Sequence, residues 1–300
     1  MRRIFVFLTV MLTAILGAQI AQANLRNQPI TGDLNSDGRV DRATFSHVIG
    51  TTTCTVNVEY RRPDGTYGPA VAHNYESPVV KEPRCPDMGV AVRLRRYGNP
   101  DLVGAMFFGS GTQRLFVLRN FALLAQYDGL DFPSAIETAD FNGDGLGDIW
   151  QSTDQIETMR ALLTTSAGTI VPGPFSVCSQ VPVPQHYFAD FNGDGGQDLL
   201  VSRTCRREAH RANAEVFFGN GAPKAVLATA DSLGVTLEVF PIDLDSNGIP
   251  DAGVIERHSD GTNTVRHFRN DGTGTFTEVP ALTAQALPTP YNTPAGTSHH

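Results

Sequence analysis

Four stretches of the 300-residue chain place oxygen-bearing side chains at one spacing, D-x-[DN]-x-[DN]-G-x-x-D. They hold Asp33, Asn35, Asp37, Gly38 and Asp41; Asp140, Asn142, Asp144, Gly145 and Asp148; Asp190, Asn192, Asp194, Gly195 and Asp198; and Asp243, Asp245, Asn247, Gly248 and Asp251. In a tight loop, positions one, three and five turn their oxygens inward. The seventh residue (Arg39, Leu146, Gly196 or Ile249) offers its backbone carbonyl, and the ninth adds a carboxylate. Three carboxylates with neutral oxygens are a hard donor set that suits Ca²⁺, so the pattern predicts about four bound calcium ions. Glycine at position six permits the sharp turn. An EF-hand shares the opening positions but requires Glu at the twelfth, where this chain has Thr44, Gln151, Val201 and Val254. Its flanks also read as strands (Asp148-Ile-Trp-Gln, Asp198-Leu-Leu-Val), so calcium loops on β-hairpins are the expectation.

The elements that carry these loops follow from their period. The last three loops start 50 and 53 residues apart, and the first two start 107 apart, so one copy is missing from sight. A degenerate copy fits at residues 93–101, where Gly98 and Asp101 keep positions six and nine. Arg93, Arg95 and Tyr97 stand there in place of ligands. An arginine in that loop is expected to supply the charge that calcium supplies elsewhere. Strand candidates precede the last three loops (Ser134–Ala139, Gln185–Ala189, Thr236–Ile242) and follow them (Ile149–Gln151, Leu199–Ser202, Gly253–Glu256). A second turn signal recurs at Pro63-Asp64-Gly65, Ser166-Ala167-Gly168, Gly219-Asn220-Gly221 and Asn270-Asp271-Gly272. Four strands in about 50 residues is the unit of a β-propeller blade. The expected fold is all-β, a five-bladed propeller of four-stranded blades with calcium-binding hairpin loops.

Composition narrows the rest. Low charge (18%) with 29 glycines and 19 prolines argues against coiled coil, and 41% apolar residues argues against disorder. Arg2 and Arg3, the apolar run Ile4 to Leu16 and Ala21-Gln22-Ala23 read as a cleavable signal peptide over residues 1–23. The mature chain is expected to be secreted or periplasmic, without a membrane span. Its propeller is expected over residues 24–280, with a flexible Pro- and Thr-rich tail over 281–300. Without Arg2 and Arg3 the formal charge of −8 becomes −10, and twelve of the acids sit in the four loops. The acidity is therefore loop chemistry, and nucleic acid is a poor partner.

Ala139-Asp-Phe-Asn-Gly-Asp-Gly-Leu-Gly-Asp148 and Ala189-Asp-Phe-Asn-Gly-Asp-Gly-Gly-Gln-Asp198 resemble the FG-GAP/VCBS repeat of integrin α-subunits and exported bacterial proteins. Val216-Phe-Phe-Gly-Asn-Gly221 is similar to the later hairpin of that repeat. The resemblance spans nearly all of the mature chain and implies calcium in the four intact loops. It departs in blade number, since integrin-like propellers have seven. It also implies that partners bind the face opposite the calcium loops. There Arg203-Thr-Cys-Arg206-Arg207-Glu208-Ala-His210-Arg211 is the densest chemistry, with Arg206, Arg207 and His210 as candidate ligand contacts against the plainer reading of a solvated turn.

Cys54, Cys85, Cys178 and Cys205 contain no C-x-x-C pair, and export favours two disulfides, for which three connectivities exist. In an A-B-C-D blade, Cys54 and Cys205 fall near B–C turns, while Cys85 and Cys178 fall near D–A linkers of the same face. That favours Cys54–Cys85 and Cys178–Cys205. Trp150 is expected in an interblade core, and His186 and Tyr187 as packing groups before the third intact loop. Nucleophile-elbow, zincin, phosphate-loop and dinucleotide signatures do not occur in the sequence. The functional expectation is a calcium-binding adhesion or binding module for an extracellular glycan or protein. The alternatives are a polysaccharide hydrolase or lyase with carboxylates in the channel, or a purely structural repeat protein.

Overall fold

The structure, a computed structural model, describes residues 24–25, 28–79, 85–106, 114–130, 132–153, 158–179, 185–209, 211–230 and 234–280. The expected signal peptide and tail lie outside these residues. A two-residue strand, β1 (Asn24–Leu25), precedes five antiparallel groups of four. Blade 1 comprises β2 (Ile30–Gly32), β3 (Asp41–His47), β4 (Thr53–Glu59) and β5 (Val71–Glu76). Blade 2 comprises β6 (Met88–Val92), β7 (Asp101–Ala105), β8 (Arg114–Arg119) and β9 (Ala122–Asp128). Blade 3 comprises β10 (Pro133–Ala139), β11 (Asp148–Thr153), β12 (Thr158–Thr164) and β13 (Ile170–Cys178). Blade 4 comprises β14 (His186–Ala189), β15 (Asp198–Thr204), β16 (Ala212–Phe217) and β17 (Ala225–Ala230). Blade 5 comprises β18 (Val235–Ile242), β19 (Asp251–His258), β20 (Asn263–Asn270) and β21 (Phe276–Val279). In each blade the strands follow chain order, as in a β-propeller, and β1 adds to the free edge of β10. The degenerate copy is blade 2, so five blades stand as expected.

Side-chain alternation converts these sheets into a stack. Leu102, Phe116 and Leu118 of blade 2 pack with Ile30 and Val56 of blade 1, while Val103, Leu115 and Val117 pack with Ile136 and Ile149 of blade 3. Trp150, Met159 and Ala161 then face Phe188, Leu199 and Val201 of blade 4. Leu200, Ala214 and Val216 face Val239, Ala252 and Val254 of blade 5. A central blade therefore carries apolar residues on both faces, and β7 and β11 are buried throughout. The second loop residue joins the same scheme: Leu34, Leu94, Phe141 and Phe191 are each at most 1% exposed and enter the core with the next blade. Its counterpart Leu244 in blade 5 is only half-buried, and among the described residues no core cluster joins blade 5 to blade 1.

Both expected disulfides are present. Cys54–Cys85 and Cys178–Cys205 span Cα distances of 5.6 and 5.5 Å and each ties a blade to its successor. They lie at the ends of the blades away from the A–B loops.

Candidate metal loops

All four acidic loops connect the first and second strands of their blades, and each is ordered by its own backbone. The position-one carboxylate accepts the N–H groups of positions five and six. For Asp140 these are Asp144 N at 3.2 Å and Gly145 N at 2.8 Å, and Asp33, Asp190 and Asp243 repeat both bonds. The side-chain oxygen at position three accepts the N–H of position five at 3.1–3.3 Å. That at position five accepts the N–H of position seven at 2.7–2.9 Å. Glycine at position six has φ of 81–87° in all four loops. Position four is also left-handed, with φ of 60° at Ser36, 68° at Gly143, 71° at Gly193 and 59° at Ser246. Position four has no fixed residue type, being serine in the first and last loops and glycine in the other two, so the spacing pattern does not mark it.

The ninth aspartate does a second job. Asp148 Oδ2 accepts Phe141 N at 2.9 Å and its Oδ1 accepts Thr164 N at 2.7 Å, so one buried carboxylate ties the loop to the end of the third strand. Asp41, Asp198 and Asp251 make the same two bonds, to Leu34 N and Arg61 N, Phe191 N and Gly219 N, and Leu244 N and Asn270 N. Each oxygen keeps a second lone pair for a cation. In blade 5, where position three is also acidic, carboxylate oxygens of Asp243, Asp245 and Asp251 lie within 4.8 Å of one another. Burial pushes the Asp148 and Asp198 carboxyls up to about 7 against the pull of the two amides, and the neighbouring loop aspartates add to the rise. Asp251 is raised for the same first reason.

Adjacent loops touch. Gln197 N donates to Asp140 O at 2.6 Å while Gln197 Oε1 accepts Asp140 N at 2.9 Å. Asn270 Nδ2 donates to Phe191 O at 2.6 Å. A Cβ on Gly193 would lie 2.9 Å from the Gly272 carbonyl, so this close approach requires glycine.

Blade 2 solves the same problem without an acidic loop. Gly98 keeps its left-handed φ of 92°, and Asp101 keeps the ninth place at 1% exposure. Its carboxylate receives Arg119 Nε and Nη2 at 3.1 and 3.0 Å, and the Arg95 guanidinium at 3.4 Å. Arg95 thus supplies positive charge as expected, but Arg119, at the end of β8, carries the closer contact. Arg93 and Tyr97 are exposed.

On the opposite side, the arginine-rich turn is built around Arg203. It is 4% exposed and pairs with the buried Glu215 and with Glu208, and Glu215 also accepts Lys224 Nζ at 2.6 Å. Arg206 is exposed, Arg207 sits in a short 3₁₀ turn (Arg206–Glu208), and His210 lies outside the described residues. His186 pairs with the buried Glu137 at 3.0 Å and packs against Trp150 and Phe188, a packing role rather than a loop contact. Trp150 is fully buried in the core between blades 3 and 4.

No family model matches the chain, and no curated protein matches it. Solved structures of low identity are similar, three of them as follows. The crystal structure of BBS1N in complex with ARL6DN shares 10% identity over 82% of this chain and 71% of that one, with a TM-score of 0.42. A Lactobacillus plantarum protein shares 13% over 85% and 84% (TM-score 0.38). The WD40 domain of Toxoplasma gondii coronin shares 10% over 87% and 75% (TM-score 0.29). At such scores they carry no weight beside the strand order itself.

Proposed function

We propose that the chain is an exported FG-GAP/VCBS-type propeller whose four acidic loops hold Ca²⁺, and that it serves as a binding module for an extracellular glycan or protein. One observation carries this reading: four loops of one donor pattern occupy the same turn of four blades and share one ladder of backbone hydrogen bonds, and in blade 5 three of the carboxylates gather within 4.8 Å. The donors fit a hard cation. Positions one, three, five and nine each carry a carboxylate or amide oxygen, and the carbonyls of Arg39, Leu146, Gly196 and Ile249 complete the set. Bound calcium would neutralise carboxylates that the fold crowds together and half-desolvates. Export is supported by the leader-like N-terminus and by two disulfides that a reducing compartment would open. The buried carboxylates outside the loops, Glu137 and Glu215, are each held by a basic partner, which favours binding over general acid–base work.

Incubation with a panel of bacterial and host polysaccharides, in calcium and in chelator, tests this. Retention on a polymer or partner with chain length unchanged, and loss of retention in chelator, is the expected result. Shortened chains would overturn it in favour of a hydrolase or lyase.

A further inference from the structure

The connection between the third and fourth strands is short in four blades: two residues in blade 2, five in blades 3 and 5, and seven in blade 4. In blade 1 it runs through eleven, residues 60–70, and folds into a hairpin of its own. Arg61 bridges to Tyr67, Arg62 N donates to Thr66 O at 2.7 Å, and Gly65 N donates to Arg62 O at 2.9 Å. Asp64 Oδ1 accepts both the N–H and the hydroxyl of Thr66, and the Arg42 guanidinium lies 3.7 Å over the Tyr67 ring. This excursion is therefore stiff and anchored.

Together with the first acidic loop it walls a groove of about 410 Å³. Arg39, Arg61 and Arg62 line it, and Tyr60, Pro63 and Pro69 supply apolar ring faces. Asp37 is the acid in the lining, and the Arg39 guanidinium pairs with it. Three guanidinium groups, against Asp37 in the lining and Asp64 beside Arg62, leave the groove with an excess of positive charge on a chain whose formal charge is −8. The forks of Arg61 and Arg62 stand at the exposed rim.

We propose that this groove binds a saccharide carrying carboxylate or sulfate groups. Planar guanidinium forks pair with both anions in bidentate fashion, and ring faces stack on the apolar face of a sugar. An acidic peptide fits less well, because the main chain here is already engaged. Tyr60 O accepts Gly68 N, Arg61 O accepts Arg39 Nε, and Arg61 N donates to Asp41, which leaves a peptide only the outer edge of β5 to extend. The proposal rests on and deepens the reading of the chain as a binding module, and the groove shares Asn35, Asp37 and Arg39 with the first acidic loop.

Titration calorimetry of the full oxidised chain with oligogalacturonate, a sulfated heparin oligosaccharide, neutral dextran and poly-glutamate tests it. A calcium titration of the same sample reports separately on the loops. Binding of either charged saccharide, weakened about tenfold or more in Arg61→Gln/Arg62→Gln and unchanged in Arg269→Gln, is expected, and which of the two binds identifies the anion. Both positions are exposed, so an unaltered melting temperature confirms that the double variant is folded. Failure of both charged saccharides to bind at millimolar concentration, equal affinity of the double variant, equal affinity for dextran, or tighter binding of poly-glutamate would overturn it.

Discussion

Within each loop the aspartates have separable work, and substitutions should separate them. Asp148→Ala removes the acceptor of two buried N–H groups as well as a metal donor. It should cost about 2–5 kcal/mol in urea unfolding, most of it persisting in chelator, because unpaired buried donors pay their full desolvation. Asp144→Ala leaves those two amides satisfied and removes the acceptor of Leu146 N, so it should cost about 1 kcal/mol in chelator and distinctly more when calcium is present. Proton binding gives a second test. A folded carboxyl near 7 binds its proton more tightly than the unfolded chain, so the stabilisation is full at about pH 4 and fades as pH rises toward 7. Melting of the metal-free protein should therefore fall across that window, and saturating calcium should flatten the profile. Positions one, three, five, six and nine were legible because each needs a particular residue type. The left-handed fourth position was not, since serine hides its backbone role behind an ordinary letter. Arg119 was invisible for another reason: its pairing with Asp101 is made across strands, eighteen residues apart.

Strands and turns were readable wherever glycine marks a positive φ. Gly65, Gly168, Gly221 and Gly272 have φ of 85, 74, 79 and 84° and close four of the outer hairpins. Blade 2 has no such mark. Asn120 and Phe121 turn there with φ of 49 and 64°, a strained pair for which phenylalanine is kept by packing, since its ring lies 4.5 Å from that of His73 and against the core of blades 1 and 2. Pairing of the cysteines was legible from the order of strands in a blade alone. The Cys178–Cys205 bridge closes 27 residues and pins the outer strand of blade 3 to blade 4. Cys178→Ala/Cys205→Ala should cost about 2–4 kcal/mol in denaturant unfolding. Hydrogen exchange should localise the loss to the seam between those two blades rather than to the acidic loops.

At the scale of the whole molecule, packing among the described residues runs through four interblade cores, and the outer faces of blades 1 and 5 are built differently from one another. Blade 1 turns Thr53, Thr55, Asn57 and Glu76 outward and joins them to Thr52, Ser46 and Asn74 by cross-strand hydrogen bonds. Blade 5 folds its own Phe240 over Gly253, where a Cβ would lie 2.1 Å from the ring, and edge-on to His267. Periodicity predicted the five units but not this difference, because it counts blades without saying which faces meet. Phe191→Ala, inside the core of blades 4 and 5, should cost about 3–5 kcal/mol, whereas Leu244→Ala at the matching place in blade 5 should cost about 1 kcal/mol or less. Equal losses would mean that blade 5 is packed as tightly on its outer side.

Calcium in the loops is the claim on which the functional reading depends, and thermal unfolding of the mature oxidised protein, with calorimetric counting of bound ions, tests it most directly. Each site adds about 2.7 kcal/mol at a hundred times its dissociation constant, so several sites rival the ~5–15 kcal/mol stability of a domain. About four sites, with a melting temperature that drops by many degrees in chelator, is the predicted result. No bound calcium and an unchanged melting temperature would contradict it.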